Sequence, residues 1–247
     1  ARAHRDTPMA GRTLLQQAMP TTFGLKAAGW LVALAEVSSA LHRIRDTRLA
    51  VQLGGATGTL DGLPLELVDA YAQKLGLVTP TLPWHTDRTR IAELAGALAA
   101  TAGVAGKVAR DVTLLAQSEV GEVAEAAPGA SSAMPHKRNP IAAVCALACA
   151  AQAPGLAATL YAAMAHEHER AAGSWHAEWR PLRELLTSTG SATAWLAASL
   201  AGLTVDEAAM AANLAHLTES AGLADSHAHL GLAGKLVDRA LTAWDKP

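Results

Sequence analysis

Two stretches of this chain repeat apolar residues at steps of three and four for longer than an ordinary globular helix runs. In residues 22–45 the series is Leu25, Trp30, Leu31, Leu34, Val37, Leu41 and Ile44. From Thr86 or Asp87 to about Gln117 it is Ile91, Leu94, Leu98, Val104, Val108, Val112 and Leu115. This spacing stacks apolar side chains along one face of a helix. Ala and Leu dominate the sequence, aromatic residues make up only 4%, and Ala and Leu head the helix-propensity scale. No alternating segment is long enough to predict a strand, and no internal repeat is visible. The expected class is all-α, a bundle of long helices. Helices that are apolar around much of their girth need neighbours, either other helices or other copies of the chain.

The rest of the chain divides around these two stretches. A glycine-rich segment, Gly54-Gly55-Ala56-Thr57-Gly58-Thr59, reads as turn material. It lacks the Gly-Lys-Ser/Thr ending of a phosphate loop, so no nucleotide site is expected. A short helix over 64–76 should end at Gly76, and Pro80, Pro83 and Trp84 should form a connector. Residues 118–130 read as an acidic, then small-residue loop. A helix over 140–170 should kink at Pro154, and another should cover about 181–202. Thr204-Val-Asp-Glu207 has the form of a capping box, opening a helix to about 216. A last helix is expected over about 231–244. The domain reading is a central helical bundle over 1–203 and a smaller helical domain over 204–247.

Charge and cysteine content narrow the function. The formal net charge is −2, so no global field recruits nucleic acid or a membrane surface. No secretory signal is recognised, and no 18-residue apolar run is free enough of charge and glycine to be read as a membrane span. Cys145 and Cys149 lie four apart in an expected helix, a poor geometry for a disulfide. They read as small apolar residues in a reducing compartment, and the expected location is the cytoplasm. No further Cys or nearby His completes a metal set, so no cofactor is expected.

Chemistry concentrates in one string, Ser131-Ser132-Ala133-Met134-Pro135-His136-Lys137-Arg138-Asn139-Pro140. It holds two hydroxyls, an imidazole, two cations and an amide, between Gly129-Ala130 and a long apolar stretch. Asn139 is a good N-cap and Pro140 a good first helical residue, so a helix should begin here. The loop would then face a positive helix end, where anions are favoured. The string resembles the Ser-Ser-x-Met-Pro-x-Lys-x-Asn-Pro loop of the fumarase/aspartase superfamily, which includes the argininosuccinate and adenylosuccinate lyases. The resemblance implies that Ser131 is the catalytic base and that Lys137 and Asn139 hold a substrate carboxylate. Ser132, Met134 and His136 become candidate substrate contacts.

Two further segments carry the resemblance. Gly11-Arg12-Thr13-Leu14-Leu15-Gln16 through Pro20 is similar to the superfamily's Gly-Arg-Thr-His-Leu-Gln-x-Ala-x-Pro segment. Thr13 and Gln16 match it, and Arg12 is a candidate carboxylate fork. Leu14 stands where the lyases carry a histidine used in proton transfer, and leucine cannot transfer a proton. Farther on, Glu169-Arg170-x-x-Gly173-x-Trp175-His176-Ala177-Glu178-Trp179 resembles the bacterial 3-carboxy-cis,cis-muconate cycloisomerases, a branch that also lacks that histidine. There the resemblance implies catalytic roles for Arg170 and the loop lysine, with His176 a candidate substrate contact.

What the resemblance implies is a cofactor-free cycloisomerase acting on a small polycarboxylate, in a homotetramer whose active sites draw on several subunits. The alternative is a carbon–nitrogen lyase on a succinyl substrate, adenylosuccinate-, aspartate- or nitrosuccinate-lyase-like, or a catalytically inactive structural homologue. The resemblance also implies an N-terminal domain upstream of residue 1 and a larger C-terminal domain, neither of them seen in this sequence.

Overall fold

The computed structural model describes residues 1–134, 136–222 and 229–245. Among these the fold is helical, as the spacing predicts. In chain order the elements are a hairpin β1 (Pro8–Thr13) and β2 (Gln16–Thr22), then α1 (Phe23–Thr47), α2 (Glu66–Leu75), α3 (Thr89–Leu115) and a two-residue β3 (Val123–Ala124). There follow α4 (Ile141–Ala150), α5 (Ala153–Ala162), α6 (Ser174–Leu200), a two-residue β4 (Thr204–Val205), α7 (Glu207–Ala221) and α8 (Ala233–Trp244). The chain forms two compact units. The first contains Ala1–Glu36, Val104–Leu147 and Ala194–Pro247, the second Val37–Gly103 and Ala148–Thr193.

In the first unit the unexpected element is the hairpin. Pairing runs from Pro8↔Thr22 to Thr13↔Gln16, with a bulge between Ala10 and Arg12. Gly11 sits at that bulge, where a Cβ would lie 2.4 Å from the Met19 carbonyl oxygen. Leu14 and Leu15 form the two-residue turn, both with positive φ, 50° and 64°. That conformation normally selects Asn and Gly, so the turn gives no sequence signal. Ala10 packs on Leu214 and Leu217 of α7, and Ala28 of α1 packs on Val237 and Ala240 of α8. Arg5 forks onto Asp238 of α8 at 2.7 and 2.6 Å. The short ribbon β3–β4 pairs Val123 with Val205. The capping box is displaced by two residues. Asp206, not Thr204, caps α7 by accepting from the Ala209 N–H at 2.8 Å, while Thr204 belongs to β4 and donates to the Ala124 carbonyl.

In the second unit Val51, Val68 and Ala72 form a core with Leu53, Leu60 and Leu77 around them. Gly76 closes α2 at φ 65°, its N–H reaching the Ala72 and Gln73 carbonyls, as a left-handed C-cap does. Asp87 opens α3 by accepting from the Thr89 N–H and hydroxyl. Trp84 fastens the connector, its indole donating to the Val51 carbonyl at 2.8 Å. The expected kinked helix over 140–170 is two helices, and Pro154 sits in the first turn of α5, where its missing N–H costs nothing. Helix α5 ends at Ala162, and α6 begins at Ser174, earlier than expected, with Pro181 inside it.

Three stretches, Phe23–Thr47, Thr89–Leu115 and Ile141–Ala162, are long and apolar enough to cross a membrane by length and composition. This departs from the sequence expectation, which weighs their Gly and charge content against a span. Their most apolar windows are only 17%, 39% and 33% buried, so much of their apolar surface is left uncovered by the described residues.

Candidate functional site

In the first unit the polar string is a loop closed at its neck. The Gly129 N–H donates to the Asn139 carbonyl at 2.9 Å, and the Asn139 N–H and side-chain amide both donate to the Gly129 carbonyl, at 3.2 and 3.1 Å. Asn139 is therefore a clasp. Within the loop the Met134 N–H donates to Ser131 Oγ at 3.1 Å, a local turn that orients the hydroxyl. Ser132, Met134, His136, Lys137 and Arg138 are exposed, and no ion pair engages Lys137 or Arg138 among the described residues. Pro135 lies outside the described residues.

The helix end behind this loop does not face solvent anions. Glu125, 5% exposed, accepts from the Ala142 and Ala143 N–H groups at 3.1 and 2.9 Å. The chain supplies its own anion to the positive end of α4. Asn139 does not act as the cap expected from sequence.

Arg12 is likewise committed. Its guanidinium forks onto Glu122, Nη1 to Oε2 at 2.9 Å and Nη2 to Oε1 at 2.7 Å. The Glu122 side chain is wholly buried and also accepts from Asn213 Nδ2 at 2.8 Å. Arg12 is thus a structural partner in this structure, not a free carboxylate fork. Thr13 and Gln16 flank the hairpin turn and are exposed, as is Leu14, at 97%. A cleft of about 560 Å³ beside the hairpin is lined by Arg12, Leu14, Leu15, Lys26, Asp111 and Gln117, among others. Burial lowers the basicity of Lys26, and Asp111 offsets part of that effect.

The second unit holds the other constellation. Arg170 donates through Nε to the Ala56 carbonyl at 2.8 Å and through Nη2 to the Gly55 carbonyl. Its Nη1 lies 3.3 Å from His85 Nδ1. The guanidinium thus ties down the glycine-rich segment. Gly54, Gly55, Thr57, His85, Glu169 and Arg170 are among the residues lining a cavity of about 80 Å³. Burial, then the charges of Arg170 and Arg88, lower the His85 pKa. These surroundings favour the neutral imidazole, and Arg170, which can only donate, makes Nδ1 the acceptor. Trp175 packs edge-on against His85 and against His176, with ring centroids at 4.6 and 5.4 Å. His176 itself is exposed.

Sequence reasoning assigned no role to the buried residues that support these segments. Glu178, 2% exposed, takes both ends of the Arg88 fork, at 2.9 and 2.6 Å. His166, its side chain fully buried, lies 3.5 Å from the same carboxylate. Glu122, Glu125, Arg88 and His85 were equally unmarked. Among the described residues no group of three or more His, Cys, Asp or Glu side chains could hold a metal ion.

A family model described as "Lyase" matches residues 1–155. The chain is 51% identical over 220 residues to a 3-carboxy-cis,cis-muconate cycloisomerase of Bradyrhizobium diazoefficiens, covering 87% of this chain and 49% of that protein. It is 52% identical over 229 residues to a nitrosuccinate lyase of Streptomyces davaonensis, covering 87% and 48%. The crystal structure of the 3-carboxy-cis,cis-muconate lactonizing enzyme from Pseudomonas putida superposes with a TM-score of 0.86 at 36% identity, over 97% of this chain and 67% of that one. The chain spans about half the length of the curated relatives it matches. With the long-helix fold, the clasped serine–lysine loop and these matches together, the chain belongs to the fumarase/aspartase superfamily of lyases.

Proposed function

We propose that this protein is a cycloisomerase that closes 3-carboxy-cis,cis-muconate to 4-carboxymuconolactone. One substrate carboxylate oxygen forms a bond to an alkene carbon, and the displaced electron pair moves onto a neighbouring carboxylate as an aci-anion. Protonation at the carbon beside that carboxylate, by one proton taken up from solvent, completes the lactone, so atoms and charge balance. A cation aimed at that developing charge stabilises the transition state more than the ground state. Lys137, exposed on a clasped loop, fits that role, and Arg170, held in a fixed direction by two carbonyls, fits it as well. Ser131 would carry the proton, with the neighbouring cations lowering the proton affinity of its hydroxyl. Thr13, Gln16, Ser132, Met134, His136 and His176 are proposed substrate contacts, and Arg12 and Asn139 are assigned to the framework instead.

The observation that carries this reading is Leu14. The exposed tip of the hairpin has no proton-transferring group, whereas elimination in the lyases uses a histidine there. A second reading is favoured by the 52% identity to the nitrosuccinate lyase, which matches that to the cycloisomerase. In that reading the same loop abstracts a proton from carbon as a carbon–nitrogen bond breaks. Incubation with each substrate decides. Loss of diene absorbance with carboxymuconate supports the first reading, release of fumarate from nitrosuccinate supports the second, and neither leaves a structural homologue.

Assembly belongs to the same proposal. The poorly covered apolar faces of α1, α3 and α4–α5 support a homotetramer built on a shared helix core, with active sites drawing residues from several copies. Sedimentation in buffer should show a tetramer. A stable monomer, or recovery only in detergent, would overturn this.

A further inference from the structure

One short segment holds both elements that the first unit contributes to the proposed sites, the hairpin and the polar loop. Glu122 and Glu125 flank β3, and both side chains are buried, at 0% and 5% exposure. They reach different targets. Glu122 takes the Arg12 fork from the hairpin and the Asn213 amide from α7. Glu125 takes the Ala142 and Ala143 N–H groups at the start of α4, just after the polar loop. The segment is itself fixed at three points. The Glu122 N–H donates to the Leu115 carbonyl at the end of α3, and the Glu122 carbonyl accepts from the Asp206 N–H. Val123 pairs with Val205.

We infer that Glu122 and Glu125 are positioning residues, Glu122 fixing the hairpin tip and Glu125 the serine–lysine loop, so that each element is presented in a set place to the composite site it serves. Arg12 is consumed in that task instead of binding substrate. Ordered this way, Thr13 and Gln16 on one element and Ser131 and Lys137 on the other are referred to a single rigid segment. Catalysis is sensitive to such placement, because displacements of about 1 Å in a site can cost about a hundredfold in rate. Charge-assisted bonds to a buried carboxylate are strong and directional. The inference rests on the proposed site residues, and one arm of its test does not depend on them.

The test uses Glu122→Gln, Glu125→Gln, Arg12→Gln and the double variant Arg12→Gln/Glu122→Gln in the full chain. Glutamine at the two acidic positions keeps the shape and removes the charge. Hydrogen–deuterium exchange without substrate comes first. Glu122→Gln should raise exchange in residues 8–22, and Glu125→Gln in residues 129–145, each leaving the other segment protected. Opening of both segments by either variant, or of neither, would overturn the clamp whatever reaction the protein performs. Turnover is then measured on whichever candidate substrate the unsubstituted protein converts. Arg12→Gln and Glu122→Gln should each lower kcat about tenfold or more with KM changed less than about threefold, and the double variant should be no worse than the poorer single. A rise in KM of about thirtyfold for Arg12→Gln alone, with kcat intact, would return Arg12 to the substrate and overturn its assignment to the clamp. Local opening with unchanged kcat would overturn the positioning role and remove these segments from the site.

Discussion

The two units hold their candidate catalytic cations in opposite ways. In the first, Lys137 stands on a loop fastened by other groups: the Gly129–Asn139 clasp at its neck and Glu125 at the helix behind it. The cation has no structural duty among the described residues. In the second, Arg170 is itself the fastening, because its guanidinium ties down the Gly55 and Ala56 carbonyls and meets His85. A free cation and a fastening cation can serve the same chemistry, but removing them has different consequences. The first substitution subtracts a charge, whereas the second also releases a glycine-rich segment.

The largest expected effect falls on the framework of the second unit. Glu178 is shared by Arg88 and His166 in a buried cluster. Glu178→Ala should destabilise the protein by about 3–5 kcal/mol, since the Arg88 charge is left buried without its partner. Urea unfolding measures this. A loss below about 1 kcal/mol would mean that water reaches Arg88 and that the second unit does not depend on this pair.

Next come the two cations. Lys137→Ala should lower turnover about a hundredfold or more, the cost of removing a charge aimed at a developing anion, with the melting temperature unchanged. Arg170→Ala should lower turnover as much and also raise hydrogen exchange over residues 54–59. Arg170→Lys should not restore order there, because an ammonium cannot span two carbonyls as a planar fork does. If both variants leave exchange untouched, or both disorder their segments, the contrast between the two units fails.

How much of this was legible depended on whether the decisive group was local in sequence. The long helices α1 and α3 announce themselves because Leu25 to Ile44 and Ile91 to Leu115 keep helical period. Gly76 and the polar loop were equally plain. The hairpin was not, because Leu14 and Leu15 occupy a turn that ordinarily requires Asn and Gly, and the Gly11 bulge breaks the alternation. Pro154 was expected to kink a helix and instead opens one, and Pro181 shows the converse case. A proline marks a constraint but does not say whether it opens a helix or interrupts one, and here the first opens α5 and the second lies within α6. At the site, the residue types of Ser131, Lys137 and Arg170 were readable. The commitment of Arg12 to Glu122, and of the α4 end to Glu125, was not, since each joins residues distant in the chain.

A smaller effect is expected at the hairpin turn. Left-handed backbone at a non-glycine residue costs about 1–2 kcal/mol, and Leu14 and Leu15 both adopt it while remaining exposed. The double variant Leu14→Asn/Leu15→Gly, which supplies the residue types this turn prefers, should therefore raise stability by about 1–2 kcal/mol. If the leucines are kept for an apolar wall against substrate, the same variant should lose turnover. Gain of stability with full activity would show that the turn is only a turn, and that Leu14 does not mark the reaction.

The smallest effect expected is a pH dependence confined to the second unit. Burial and the charges of Arg170 and Arg88 depress the His85 pKa, with a further contribution from His166. The unfolded chain therefore binds more protons than the folded one between the depressed value and the ordinary imidazole value. Stability must rise with pH across that window and fall as pH drops through it. His85→Asn keeps an acceptor for the Arg170 guanidinium but cannot be protonated there. Melting temperatures compared between about pH 7.5 and about pH 5.5, the range in which imidazoles titrate, should fall less steeply in the variant. The same experiment bears on Lys137, whose loop is closed at its neck by the uncharged groups of Gly129 and Asn139: in the acidic range, exchange should increase first over residues 54–59 and leave the Gly129 and Asn139 amides protected. Equal acid sensitivity of the two segments would locate the titration elsewhere and remove His85 from the fastening of the glycine-rich segment.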